Sequence, residues 1–82
     1  MVVTVEYYGV LRAHAGLRKE RLELPGPTPT VAELLAAIGG LRPQLAAALE
    51  RTAVALDEQV AARSEPVYDG ATVALLPPVS GG

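Results

Sequence analysis

Residues 30–40, TVAELLAAIGG, carry the clearest helical signal in the chain. Thr30 and Glu33 match a capping box, in which the Glu33 amide donates to the threonine hydroxyl and the Thr30 amide donates to the glutamate carboxylate. The apolar residues that recur on one helical face are Val31, Leu34, Leu35 and Ile38. We therefore predict a helix over residues 30–38 that buries this face, ended at Gly39-Gly40 by a left-handed cap.

Two strands are predicted before this helix. Residues 2–8 are β-branched and aromatic, and residues 18–24 alternate apolar with charged side chains. Between them, residues 10–15 predict a short helical turn that Gly16 closes. The two strands are expected to form a hairpin with an unusually long connection.

A shorter helix and further strands are predicted after residue 40. Pro43 suits the first turn of a helix over residues 44–51. Residues 53–56 read as a strand that leads into a turn, after which Val60 and Ala61 pair back briefly. Asp69-Gly70 is a turn signal, and residues 72–76 follow as the final strand.

The order of these elements describes an α+β chain with a β-grasp (ubiquitin-like) fold: a mixed sheet, one main helix packed across it, and a short second helix. The first and last strands are the most apolar, so we expect them to be central, adjacent and parallel. Residues 1–76 are predicted to form the domain and residues 77–82 an extended tail. The residues expected in the core are Val3, Val5, Leu22, Leu34, Leu35, Ile38, Leu45, Val54, Leu56, Val73 and Leu75.

Composition excludes several function classes. There is no cysteine, so no disulfide, thiolate ligand or persulfide can form on this chain. The net charge of −2 argues against nucleic acid as the main partner. The apolar stretches are far shorter than the ~18 residues of a membrane span. Because no secretory signal follows Met1, we expect a cytoplasmic protein without membrane contacts.

The polar and aromatic side chains do not suggest a catalytic set. His14 has no second His or Cys with which to share a metal, so no metal site is expected. Asp57 and Glu58 are interpreted as a hairpin tip, and Ser80 has no triad partner except His14. We interpret the three tyrosines, Tyr7, Tyr8 and Tyr68, as packing in the core and on the sheet. Four cations near the start of the chain are interpreted as a solvated face whose positive charge Glu20 and Glu23 dilute; they are Arg12, Arg18, Lys19 and Arg21.

The sequence stops at residues 77–82, PPVSGG, which suit insertion into a narrow channel. Gly81 and Gly82 carry no side chain that would collide with channel walls, and Pro77-Pro78 stiffens the base of the segment. Fully extended, six residues span roughly 20 Å at about 3.3 Å each. The alternative is a passive frayed tail.

With these motifs the chain resembles the small subunits of molybdopterin synthase, which are ubiquitin-like sulfur carriers. The resemblance rests on Leu11-Arg12 after the first strand, on residues 30–35, and above all on residues 69–82, DGATVALLPPVSGG. A terminal Gly-Gly alone is also typical of ubiquitin-like modifiers and thiamine-pathway carriers. Two turn positions depart from the family, which usually has an acidic residue at Ala71 and often has Asn at Asp57.

The resemblance implies chemistry at the Gly82 carboxylate. An activating enzyme that binds ATP and Mg²⁺ would adenylate it, and a donor such as a cysteine desulfurase or rhodanese would supply sulfur to give a thiocarboxylate. That sulfur would attack a pterin precursor in the large subunit of the synthase, in molybdenum cofactor biosynthesis. This chain would bind no cofactor of its own and would have no catalytic pocket. The residues that would thread the partner's channel are Pro77, Pro78, Val79, Ser80 and Gly81.

Two function classes stay open: a sulfur carrier, and a modifier that conjugates Gly82 to target lysines. Within the first class, carriers for thiamine synthesis or tRNA thiolation are alternatives, although the PPVS lead-in favours molybdopterin synthase. The strands carry more apolar residues than one buried face can use, so we predict a docking face opposite the helix. Leu76 should stay partly exposed there and contact the partners. Gly81 and Gly82 are expected to be disordered when free and extended in complexes.

Overall fold

The predicted helix and strands assemble into one mixed sheet with helices on one side. The computed structural model describes residues 1–24 and 27–78. In chain order its elements are β1 (Val2–Tyr7), α1 (Gly9–Ala15), β2 (Lys19–Glu23), α2 (Val31–Leu41), a 3₁₀ turn (Pro43–Leu45), α3 (Ala46–Leu49), β3 (Ala53–Leu56), β4 (Gln59–Ala61) and β5 (Thr72–Leu76). The strand order is β2-β1-β5-β3-β4, with β1 parallel to β5 and every other pair antiparallel. The predicted β-grasp fold is confirmed.

The capping box of α2 is formed as predicted, but its C-terminal end differs. The Glu33 amide donates to Thr30 Oγ1 at 3.2 Å, and the Thr30 amide donates to Glu33 Oε1 at 2.8 Å. The predicted stop at Gly39-Gly40 is wrong, because both glycines stay helical and α2 continues to Leu41. A Cβ on Gly39 would lie at an ordinary van der Waals distance of 3.7–3.8 Å from α3, so this position faces α3 inside the helix and would also accept an alanine.

The core lies between α2 and the sheet. β1 and β5 alternate between buried and half-buried residues, as a sheet covered on one face requires. Every residue predicted for the core is buried. The largest fully buried side chains beyond that prediction are Tyr7, Leu11, Val31 and Val67.

The shorter elements explain two further differences. α1 ends at Gly16 with a left-handed φ of 79°, as predicted. The second helix is not continuous over residues 44–51, since a 3₁₀ turn that begins with Pro43 precedes the four residues of α3.

Ala71 does not lie on the surface of a turn but is fully buried, where an acidic side chain would be desolvated. None of the helices in residues 1–24 and 27–78 has the length and apolarity to cross a bilayer.

Candidate functional site

The sheet face opposite α2, called here the open face, carries alternate residues of β1, β5, β3 and β4. In register its members are Thr4, Glu6, Thr72, Ala74, Leu76, Ala53, Ala55 and Val60. Its apolar part runs from Leu76 through Ala74 and Ala55 to Val60, which is 76% exposed. The prediction that Leu76 stays partly exposed is confirmed, and its contact with a partner stays a prediction.

The chain leaves the sheet beside the end of β1. Gly9 has a φ of 54°, and a Cβ built on it would lie 3.0 Å from Cγ of Pro77. A side chain here would be strained and crowded, so glycine suits this contact. We call Gly9 and Pro77 the tail root; Pro77 is half-buried and Pro78 exposed. Four predicted site residues lie outside the described residues: Val79, Ser80, Gly81 and Gly82. The prediction that Gly81 and Gly82 are disordered in the free chain therefore stays a prediction.

Three cations surround a shallow concavity beside the tail root. The concavity has a volume of ≈ 340 Å³ and is lined by Glu6, Tyr7, Tyr8, Arg12, Arg18 and Lys19. We call Arg12, Arg18 and Lys19 the basic cluster; all three are exposed. Arg12 is oriented by its Nε, which donates to the Tyr7 carbonyl at 3.3 Å, and by the Tyr8 ring, whose centroid lies 5.8 Å from its guanidinium carbon.

Of the two carboxylates interpreted as diluting the cations, only Glu20 is separated from them by the fold. The β1–β2 register places Glu20 opposite Val5, on the face that α2 covers, whereas Lys19 lies opposite Glu6 on the open face. Glu23 pairs with Val2 at the far end of the strand. Alternation along β2 therefore separates Glu20 from Lys19, whereas Glu23 shares the open face with Lys19 and Arg21. Glu6 is the acidic residue beside the cluster, and its Oε1 accepts a hydrogen bond from the Tyr8 hydroxyl at 3.1 Å.

A partly buried hydrogen-bond network holds the end of β1. Arg42, just after α2, donates to Glu20 from Nε at 2.9 Å and from Nη2 at 2.7 Å. The Tyr7 hydroxyl donates to the same carboxylate. The Arg42 guanidinium lowers the pKa of Glu20, while burial and then the Glu20 carboxylate raise the pKa of Tyr7 to about 12. The network joins α2, β2 and β1 next to the tail root.

The opposite end of the open face is acidic and tightly turned. Asp57 and Glu58 form the β3–β4 tip with φ values of 47° and 73°. Asp57 Oδ1 accepts the Thr72 amide at 2.9 Å, and Oδ2 accepts the Tyr68 hydroxyl. These bonds, the tyrosine first, lower the pKa of Asp57. Both carboxylate oxygens of Asp57 thus bind groups of β5 or of the segment just before it, and this accounts for an Asp at this turn. Tyr68 is 48% exposed and Tyr8 is also exposed, so only Tyr7 packs in the core as interpreted.

The side chains considered for metal binding are dispersed. In the described ranges 1–24 and 27–78, no three His, Asp or Glu side chains lie close enough to hold a metal ion. His14 is exposed on α1, and its backbone carbonyl accepts a hydrogen bond from Gln44 Nε2 at 3.3 Å.

The fold and the open face define a ubiquitin-like protein of the β-grasp type. The sequence profile of the ThiS family matches residues 5–82, so the chain belongs to the ThiS family. It is thus a ThiS-like, ubiquitin-like sulfur carrier, without a pathway fixed by this match. No functionally curated protein matches the sequence at a significant level.

Three solved structures illustrate the range of its relatives. The chain is 29% identical to SAMP1, a small archaeal modifier protein of Haloferax volcanii, with a TM-score of 0.86 and full coverage of both chains. It is 28% identical to a chain in the complex of subunits 1 and 2 of the Helicobacter pylori molybdopterin-converting factor, with a TM-score of 0.69 and full coverage of both chains. It is 26% identical to a chain of the Amycolatopsis orientalis BexX/CysO complex, with a TM-score of 0.72 and coverage of 98% and 99%.

Proposed function

We propose that this chain is a cytoplasmic sulfur carrier and the non-catalytic small subunit of a molybdopterin synthase, with the Gly82 carboxylate as its reactive group. The observation that supports this most is the position of the tail root. Pro77 leaves the sheet against Gly9, directly after the open face residue Leu76. A partner that covers the open face would therefore receive the PPVSGG segment in its own active site.

The proposed chemistry uses the end of the chain instead of a side chain. The Gly82 carboxylate would attack the α-phosphorus of ATP on an activating enzyme, releasing pyrophosphate and forming an acyl-adenylate. The persulfide sulfur of a donor such as a cysteine desulfurase or rhodanese would then attack the acyl carbon and displace AMP, and a thiol would reduce the resulting acyl disulfide to leave a thiocarboxylate. In the large subunit the thiocarboxylate sulfur would attack a pterin precursor, and hydrolysis of the acyl–sulfur bond would restore the carboxylate. ATP and Mg²⁺ belong to the activating enzyme in this proposal.

The open face is the proposed docking surface for both partners. Burying a Leu side chain contributes about 1.5–3 kcal/mol, so Leu76→Asp should weaken each complex by at least tenfold. Leu41→Asp is the matched control, because Leu41 is 65% exposed at the end of α2, on the other side of the sheet. Calorimetric titration of both variants into the activating enzyme and the large subunit measures the effect. Equal affinities for the two variants would remove the case for this face.

A conjugating modifier is the second candidate, favoured by the similarity to the H. volcanii modifier protein. The ThiS family match is also compatible with a sulfur carrier that serves thiamine synthesis or tRNA thiolation instead of molybdopterin synthesis. The PPVS segment before Gly81-Gly82 supports the molybdopterin synthase assignment over these, on the resemblance described above.

Intact mass spectrometry tests the carrier chemistry. Incubated with activating enzyme, ATP and a sulfur donor, the chain should gain about 16 Da as sulfur replaces oxygen, and it should return to its original mass when product forms. Deletion of Gly82 should abolish loading without changing thermal stability, and Gly81→Val should block it by steric collision. Gly40→Ala is the control, since it adds a methyl group to open space on α2.

The same experiment separates the two function classes. A conjugating modifier would give adducts of higher mass that survive thiols and denaturant, whereas a carrier gives only the loaded and unloaded chains. Failure of wild-type chain to reach the loaded mass would refute the carrier proposal. Sulfur transfer to a thiazole precursor or to tRNA, with none to a pterin precursor, would reassign the pathway.

A further inference from the structure

We propose that the basic cluster of Arg12, Arg18 and Lys19 docks on a carboxylate-lined rim at the mouth of the partner channel that receives the tail. This inference rests on the proposed function, because it needs a partner that takes up residues 77–82. It assigns a specific chemistry to the partner surface around that channel.

The cations of the cluster face solvent and outnumber the carboxylates that line the concavity with them. Within residues 1–24 and 27–78 the ion pair of the structure is Arg42 with Glu20, on the covered face of the sheet. Around the concavity three cations meet one carboxylate, that of Glu6, which the Tyr8 hydroxyl already binds. Arg12 is held by the Tyr7 carbonyl and the Tyr8 ring, so it loses less side-chain freedom when it binds an anion.

The cluster and the tail root lie at the same end of the sheet. Tyr7 pairs with Leu75 in the β1–β5 register, and the Tyr7 amide donates to the Arg18 carbonyl at 2.8 Å. Gly9 then contacts Pro77. The β3–β4 tip, with Asp57 and Glu58, lies at the other end of β5. The cations therefore lie at the end of the sheet where Pro77 leaves it, while Asp57 and Glu58 border a separate concavity with Glu6 and Tyr8, and this uneven charge helps to orient an approaching partner.

The length of the tail distinguishes between two kinds of anion that the basic cluster could bind: carboxylates on the rim of a partner protein and phosphates of a nucleotide. If fully extended, residues 78–82 would span roughly 17 Å at about 3.3 Å each, and the phosphate of an adenylate on Gly82 would then lie about that far from Pro77. An ion pair requires contact within about 4 Å, so a tail extended to this length carries the phosphate out of reach of the tail root. Cations at the tail root therefore meet the entrance of the channel and not the phosphates at its end. The anions that fit there are Asp and Glu side chains of the partner.

The test measures association and chemistry separately. Full-length wild-type chain, Arg18→Glu and Lys19→Glu are mixed by stopped flow with the activating enzyme and with the large subunit over a range of salt concentrations. We expect each variant to associate at least about tenfold more slowly at low salt and to show a weaker salt dependence. Arg21→Glu is the matched control, since it makes the same charge change on β2 further from the tail root, and it should change the rate by less than about threefold.

Adenylation within the saturated complex should proceed at the wild-type rate in all variants. Rescue of Arg18→Glu by an acid-to-lysine change on the partner rim would support the proposal. Association equal to that of Arg21→Glu would overturn it. Normal association with a slower adenylation step or a higher KM for ATP would also overturn it, in favour of a phosphate contact. Absence of the +16 Da species in wild-type chain would instead refute the proposed function, leaving the association rates to be judged on their own.

Discussion

Substituting Glu20 by Gln should weaken the folded state through one identifiable network. Glu20 accepts two hydrogen bonds from Arg42, at 2.7 and 2.9 Å, and a third from the Tyr7 hydroxyl. The side chains of Arg42 and Glu20 are 26% and 18% exposed, so solvent screens the pair only in part. The network ties α2 to β1 and β2, and its loss should therefore be measurable as a change in the free energy of unfolding.

The magnitude follows from this partial burial. Exposed ion pairs contribute about 0.2–1 kcal/mol, and hydrogen bonds to charged groups about 1.5–3 kcal/mol. Glu20→Gln removes the charge but keeps one acceptor oxygen, so we expect a loss of about 1–2 kcal/mol. Glu20→Ala also leaves the Tyr7 hydroxyl without its acceptor, which adds about 1–3 kcal/mol. The alanine variant should consequently be the less stable of the two.

The pH dependence gives the network a second signature. Because Arg42 lowers the folded-state pKa of Glu20, the folded value lies below the unfolded value of roughly 4.3. The contribution is complete above the unfolded value and is lost as pH falls through the folded one. The stability difference between wild type and Glu20→Gln should therefore be largest near neutral pH and shrink in acid.

Urea unfolding at neutral and acidic pH measures both effects. Glu23→Gln is the matched control, because it makes the same chemical change at an exposed position of β2. Adding Arg42→Gln completes a double-mutant cycle, in which the coupling energy should equal most of the Glu20→Gln loss. Equal losses for Glu20→Gln and Glu23→Gln, or a difference that does not shrink in acid, would refute the reasoning.

Three further outcomes are expected. Ile38→Ala, at a fully buried site, should lower the free energy of unfolding by about 3 kcal/mol and Tm by roughly 12–24 °C. Leu41→Ala, at an exposed site on the same helix, should change Tm little, and thermal unfolding of both variants tests the prediction. Glu58→Gly should raise stability by about 0.5–1 kcal/mol in urea unfolding, because Glu58 holds a φ of 73° that glycine adopts without strain. Asp57→Asn should lower stability at neutral pH and make little difference in acid, since the lowered pKa of Asp57 makes its contribution vanish as the carboxyl protonates.

The fold could be predicted because several local signals agree. The capping box and apolar spacing locate α2, and the alternation in β1 and β5 identifies their buried faces. The end of α2 could not be predicted from local signals. Each glycine inside a helix costs only about 1 kcal/mol, and the Arg42–Glu20 pair, which favours continuation of α2 to Leu41, joins residues that are far apart in sequence.

The site was only partly predictable for a geometric reason. Leu76 could be assigned to an exposed face because strand alternation alone determines it. The basic cluster could not, because Glu20 is adjacent to Lys19 in sequence but lies on the other face and pairs with Arg42 from a distant part of the chain. Lys19 and Glu20, which are neighbours in sequence, thus lie on opposite faces of the sheet. The contact of Gly9 with Pro77 likewise depends on the parallel pairing of β1 and β5.

On the proposed function, the carrier must leave its activating enzyme before it enters the synthase, and the described surface suits such transient binding. The apolar part of the open face is narrow, consisting of Leu76, two alanines and Val60. A surface of this kind cannot supply the large buried area of a permanent complex. Exposed cations beside it accelerate encounter more than they slow dissociation. The combination of a small apolar contact with steering charges at the tail root therefore favours rapid exchange between partners, and the network around Glu20 braces the adjoining ends of β1 and β2.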